Sequence, residues 1–316
     1  MTVSRSAFIG GLAAAAIFPC AAGAQTLATL RATSAIDDPA TPFLYAMESG
    51  LFRKNGLDAT LERATSGAAS AAAVVGGSFE VGKASVISFL SAHVHNLPIV
   101  AVAAAGDYDA SRPPTAALAV KPDAPIRSGA DLNGKTVAVS ALNDLFSIAA
   151  RAWVDAHGGD SSTVKLIELS TSTAVEGVVS GRVDAAVVVQ PFLARALDTN
   201  SIRVIGDPVS ALGRHHTDSL WFMTTAYADK NPDVVNRFMR SIRDAAVYVN
   251  GHPAETAPLL AKFAMVQAAD AQRLRTLQGT RLDPANLQPM IDAAARYKLI
   301  PERIDARDLI YRNALR

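Results

Sequence analysis

The chain has 316 residues, half of them apolar, with 30 lysine and arginine residues against 29 aspartate and glutamate residues. That length buries a substantial core and points to two lobes or domains, and the near-neutral charge argues against nucleic acid as a partner. Beyond the first two dozen residues no run of eighteen uninterrupted apolar residues offers a membrane span.

The first segment differs from the rest. Arg5 gives a small positive start, 7–18 is an apolar stretch, and Ala22-Gly23-Ala24 is a small-residue cleavage site. Together they predict a signal peptide over 1–24, an exported protein and a mature start at Gln25. Ser4-Arg5-Ser6 lacks the second arginine of a twin-arginine signal, so the export route is open. Cys20, the one cysteine, follows Phe18-Pro19 rather than the small residues of a lipidation site, and is expected to leave with the signal. The mature chain then has equal numbers of basic and acidic residues and no thiol, so disulfides, thiolate metal sites and cysteine nucleophiles are excluded.

From Ala28 onward, short β-branched or apolar runs alternate with helical stretches, which predicts an α/β fold with mostly parallel sheets. The first strand is expected over 27–33. Thr41 is expected to cap a helix beginning at Pro42 and carrying Phe43, Met47 and Leu51 inward. A strand over 57–62, an alanine-rich helix over 68–75, a short strand over 79–82, a helix over 85–95 and a strand over 98–104 complete a first layer. Polar residues over 108–114 then suggest a crossing, with 115–120 as the first hinge strand.

The pattern restarts with a strand over 136–140, a helix over 144–157, a strand over 164–169, a helix over 172–179, a buried strand over 183–189, a helix over 191–197 and a strand over 202–205. An extended segment over 219–225 is expected to be the second hinge, after which the chain is nearly all helix. The expected organisation is 25–115 as the first part of lobe one, 116–218 as lobe two, and 219–316 returning to lobe one, an arrangement suited to closure around a ligand.

Three segments carry a resemblance to a known family. One is Pro42-Phe43-Leu44-Tyr45-Ala46-Met47-Glu48-Ser49-Gly50-Leu51-Phe52 followed by Asn55-Gly56-Leu57-Asp58; the second is Phe79-Glu80-Val81-Gly82 with Asn96-Leu97-Pro98-Ile99. The third is Asp131-Leu132-Asn133-Gly134-Lys135-Thr136-Val137-Ala138-Val139, then Gly181-Arg182-Val183-Asp184-Ala185-Ala186 and Gln190-Pro191-Phe192. In order and spacing the chain resembles the sulfonate, nitrate, taurine and pyrimidine-precursor group of periplasmic substrate-binding proteins, with the type II two-lobed fold. The resemblance implies a periplasmic monomer that binds a small molecule and hands it to the permease of an ABC importer with its cytoplasmic ATPase, without a cofactor. The glycine-rich cluster that some anion-binding relatives carry is replaced here by Ser140-Ala141-Leu142-Asn143-Asp144.

In such sheets ligands sit beyond the carboxyl ends of the strands, against free helix N-termini. The loops so nominated hold Ser34, Asp37, Asp38, Thr41 and Pro42; Thr65, Ser66 and Gly67; Lys83 and Ser85; and, in lobe two, Asn143, Asp144, Thr171, Ser172, Gln190 and Phe192. Helix capping is the competing role for Thr41, Ser66, Ser85 and Asn143. Lys83 is the one cation directed at the expected cleft, where it would pair with an anion or be solvated. Asp144 occupies a place an anion would want, so an amine-bearing or zwitterionic ligand reconciles the two. Phe43, Phe192, Trp221 and Phe222 are candidates for an apolar wall, core packing being the competing role for the phenylalanines. Adjacent His215 and His216 point to opposite faces of a strand and make no metal pair. Two other readings are an enzyme of the same fold that makes pyrimidine or quinone precursors, and an extracytoplasmic sensor. The absence of dinucleotide, phosphate-loop and thiol signatures disfavours the enzyme.

Overall fold

The computed structural model describes residues 27–190, 192–265, 268–273 and 276–315; the expected signal segment 1–24 and Pro191 lie outside the described residues. β1 (Ala28–Ser34) passes through a 3-10 turn, Asp38–Ala40, straight into α1 (Thr41–Glu48). Gly50, in the left-handed region at φ 74°, turns the chain into α2 (Leu51–Lys54). Then come β2 (Leu57–Arg63), α3 (Gly67–Val75), β3 (Val81–Ser85), α4 (Val86–Val94) and the eleven-residue β4 (Ile99–Asp109).

The second layer consists of β5 (Ala116–Val120), β6 (Thr136–Val139), α5 (Leu145–Ala156), β7 (Lys165–Glu168), α6 (Ala174–Val179), β8 (Ala185–Val189), α7 (Phe192–Asp198) and β9 (Arg203–Gly206). The chain ends with β10 (His215–Thr224), α8 (Thr225–Lys230), α9 (Pro232–Gly251), α10 (Pro253–Ala264), α11 (Ala268–Arg273), β11 (Leu277–Gln278), α12 (Pro284–Arg296) and α13 (Ala306–Leu309).

Two sheets result, in the orders β11-β4-β10-β3-β1-β2 and β7-β6-β8-β5-β9. β1 is parallel to β2 and β3, and β6 to β7 and β8, but β10 runs against β3 and β4, and β5 against β8 and β9. Each sheet is therefore mixed rather than mostly parallel, because β5 and β10, which receive the chain from the other sheet, enter from the opposite end. The segments expected to be hinge strands lie within the sheets: 116–120 is an inner strand of the second sheet and 219–224 an inner strand of the first. The chain reaches them through the connectors 110–115 and 207–214.

Strand register fixes where the lobes face each other. β4 ends at Asp109, beside His215 at the start of β10. β5 starts at Ala116 beside Val189, the carboxyl end of β8, and Leu118 pairs with Gly206, where β9 ends. Both connectors therefore join the carboxyl-end rims of the two sheets, so the strand ends of both lobes border one gap. Tyr108 donates to Asp207 Oδ2 at 2.6 Å, tying one crossing to the other.

The C-terminal helices come back to the first sheet. α9 buries Val235, Phe238, Ile242, Ala245 and Val249, spaced at three and four residues as one helical face requires, against α1. The Tyr311 N–H donates to the Ala101 carbonyl at 2.8 Å, and its hydroxyl to the Ala228 carbonyl at 3.0 Å. α12 also reaches the second lobe, where the Tyr297 hydroxyl donates to Asp155 of α5 at 2.8 Å. Phe43 anchors the first core, with ring centroids 4.8 Å from Phe52 and 5.1 Å from Trp221; such pairs add about 0.5–1.5 kcal/mol each beyond burial.

Candidate functional site

On the first lobe, the ends of β1, β3 and β4 and the start of β10 surround a charged floor. Lys83 lies on β3 with its side chain only 3% exposed, and its ammonium is 2.8 Å from Oδ1 and 2.9 Å from Oδ2 of Asp37, which is 46% exposed. Buried Asp38 accepts the Thr41 hydroxyl at 3.3 Å and the Thr276 backbone N–H. Asp107 accepts the buried Thr217 hydroxyl at 2.8 Å, and Asp218 the Ser219 hydroxyl at 2.9 Å. Burial pushes the Asp107 carboxyl up to about 7, against the Thr217 hydrogen bond and with help from the Asp218 charge. Burial likewise raises Asp218 to about 6, opposed by Ser219 and the Lys83 ammonium. Asp107 and Asp218 line a hollow of about 20 Å³ with Arg112, Pro113 and Thr115 of the crossing, room for about one water molecule. Asp37 holds the Lys83 ammonium and Asp218 feels its charge, while Asp38 and Asp107 are held by Thr41, Thr276 and Thr217, with the Arg112 guanidinium bordering the hollow of Asp107 and Asp218; the floor is rich in acids.

Two helix starts flank it. Ser66 caps α3 by accepting the Ala69 N–H at 3.1 Å, and Ser85 caps α4 by accepting the Ser88 N–H at 3.1 Å. A side chain at position 67 would place its Cβ 2.9 Å from both Ala84 and Ser88, so only glycine lets these two N-termini lie side by side.

On the second lobe the rim is built of hydroxyls and caps. Asp144 caps α5 through the N–H groups of Phe146 (2.9 Å) and Ser147 (3.2 Å) and takes the Ser140 hydroxyl at 2.7 Å. Burial raises its pKa, opposed by those bonds. Leu142 N–H donates to Glu168 at 2.8 Å, and the Ser170 hydroxyl meets those of Ser172 (3.0 Å) and Thr173 (2.9 Å). Gln190 accepts the Ala194 N–H at 3.2 Å, and half-buried Phe192 has the Arg195 guanidinium 6.0 Å from its ring centre. Among the described residues no group of three histidine, cysteine or acidic side chains is placed to hold a metal ion, and no helix is long and apolar enough to cross a membrane.

Residues 39–256, more than half of the chain, match the family model described as NMT1/THI5 like. The chain belongs to that family. Among solved structures, this NMT1/THI5-like protein is similar to the periplasmic aliphatic sulphonate binding protein SsuA of Escherichia coli (20% identity, 90% of this chain and 92% of the other, TM-score 0.75). It is also similar to the alkanesulfonate-binding protein SsuA of Xanthomonas axonopodis pv. citri bound to MOPS (19%, 90% and 98%, 0.69) and to the periplasmic nitrate-binding protein NrtA of Synechocystis PCC 6803 (15%, 92% and 87%, 0.70). A search of curated proteins finds no match. At these identities the likeness establishes the two-lobed fold of periplasmic binding proteins, as the sequence implied.

Several positions nominated from the sequence lie elsewhere than expected in this NMT1/THI5-like fold. Thr41 is the first residue of α1, not its cap, because the 3-10 turn leads directly into the helix; its hydroxyl serves Asp38 instead. Asp144, not Asn143, caps α5. Lys83 is neither free nor solvated, since Asp37 holds it. Pro42, Phe43, Trp221 and Phe222 are buried in the core and form no cleft wall; Ser34 is buried too, whereas Asn143 and Ser66 are exposed. Asp107 and Asp218 were not nominated as ligand residues. The signal for Asp107 was a carboxylate directly continuing an alanine-rich strand, Ala103-Ala104-Ala105-Gly106-Asp107.

Proposed function

We propose that the protein is an extracytoplasmic solute receptor whose lobes close on a small organic molecule bearing an amine, a zwitterion of the taurine type or an amino-pyrimidine, for delivery to an ABC permease. The observation that carries this is the acid-rich floor of lobe one, where Asp37, Asp38, Asp107 and Asp218 outnumber the cations Lys83 and Arg112, facing hydroxyls and helix amides across a gap spanned by two connectors. An ammonium on the floor satisfies the excess charge, and an acidic or polar ligand group reaches the Ser66, Ser85 and Ser170–Thr173 side. Nitrate and simple alkanesulfonates, which carry no cation, fit this charge poorly. Family membership, the two-lobed fold and the apolar run over 7–18 support export and transport.

A thermal-shift panel on the mature protein tests this: taurine-like zwitterions and amino-pyrimidines should raise the melting temperature more than alkanesulfonates, aromatic carboxylates or nitrate. An equal response to nitrate would sink the ligand assignment. Asp107, poised near 7 beside the gap, favours the enzyme of the same fold as a second reading; measured turnover of a bound compound would establish it over the receptor.

A further inference from the structure

On the flank of lobe one, the edge of β4 is left open beyond β11. Gly279, just after β11, donates to the Ala105 carbonyl at 3.0 Å, and the next bond along that edge is from Tyr311 to Ala101. A Cβ at position 279 would lie 2.5 Å from that of Ala104, so glycine is what lets this segment close over the strand. Between the two bonds lies a pocket of about 370 Å³, with Val102 of β4 and Ile242 of α9 in its apolar lining and Leu282 closing one side. That volume suits a small-molecule site.

The polar lining has one sign. Arg240 and Arg243 of α9 and Arg281 all border the pocket, with Asn236 and Asn313 as further amide donors, and no carboxylate lines it. Arg243 spends part of its guanidinium on exposed Asp244 at 3.2 Å. Arg240 and Arg281 have no carboxylate partner among the described residues. Arg281 also borders a smaller adjoining hollow of about 190 Å³ that contains Asp283 and Asp107, without pairing to either. Arg240 and Arg243 are three apart on one helix, a like-charge spacing that is unfavourable unless an anion compensates.

From this cluster we infer that the pocket is a second binding site, for a compact organic polyanion: two or more carboxylate or phosphate groups on a small carbon frame. The planar guanidinium groups match either oxyanion in a bidentate fashion, and the apolar floor accepts the frame. The proposal does not depend on what the gap binds.

The test is isothermal titration of the purified mature protein with citrate for the carboxylate arm and with fructose 1,6-bisphosphate and ribose 1,5-bisphosphate for the phosphate arm, at constant ionic strength. One polyanion should bind with saturation, and R240Q or R281Q should weaken it about tenfold or more each. Both side chains are exposed, so the variants should melt with the wild type; S210A, remote from the pocket, serves as a further control and should bind as the wild type does. No saturable binding by any of the three probes overturns the proposal. So does equal affinity in R240Q, R281Q and wild type, or binding that vanishes when ionic strength is matched by sodium chloride.

Discussion

The two rims of the gap are built from different chemistry. The first lobe's floor is charged and locked: a buried ammonium in an ion pair, and carboxylates held by Thr41, Thr217 and Ser219. The second lobe's rim is largely neutral hydroxyl and amide, with its acids, Asp144 and Glu168, already occupied by backbone N–H groups. Under the proposed function a ligand would find its strong, preorganised electrostatic contacts on lobe one, with lobe two adding adaptable hydrogen bonds. In the proposed receptor that division would let the open form capture and the closed form retain, since only a ligand touching both rims shifts a population toward closure.

The largest expected effect comes from breaking the floor. Asp37→Ala strands the ammonium of Lys83, which is nearly inaccessible to water, and should cost about 3 kcal/mol in urea unfolding. Lys83→Met leaves Asp37, which is half exposed and can hydrate, and should cost less; the reverse order would contradict the burial asymmetry.

On the second lobe, Asp144→Ala removes the cap of α5 and should cost about 1–2 kcal/mol, read by the same denaturation. The pH dependence sharpens the picture of the first lobe, whose sheet carries all three groups that govern it. A carboxyl raised in the folded state binds its extra proton only when folded, so Asp107 and Asp218 make stability fall as pH rises from about 4 toward 7. His216 acts oppositely: burial lowers it to about 4, so stability falls as pH drops below its usual 6.5. Between pH 6.5 and 8 the Asp107 contribution dominates, so the wild type should be more stable at 6.5, and Asp107→Asn should flatten that slope. The smallest effects are expected for Gln190→Ala and Asn143→Ala, which should leave the melting temperature within a degree or two and weaken ligand binding severalfold in calorimetry. Unchanged affinity in both would remove them from the rim.

Much of the scaffold was legible because it rests on local rules. The alternation of apolar runs with helices gave both layers, Gly50 and Gly181 turn the chain at helix ends in the left-handed region, and Ser66 and Ser85 cap the helices they precede. The floor was only half legible. Asp37, Asp38 and Lys83 were nominated by strand ends, but the pairing of Lys83 with Asp37 joins residues far apart in sequence, and no spacing encodes it. Asp107 and Asp218 were missed as ligand residues because β4 and β10 extend past their apolar stretches, a length set by their mutual antiparallel pairing rather than by either segment's own pattern. The aromatic residues misled for a related reason: Trp221 and Phe222 sit on a strand buried on both faces, which periodicity cannot distinguish from one lining a cleft.

The most direct measurement is small-angle X-ray scattering of the mature protein with and without the compound that stabilises it most. Two lobes gripping one molecule predict a smaller radius of gyration at saturation. An unchanged radius with the compound fully bound would mean that it occupies one lobe alone, and the account of capture by closure would be wrong.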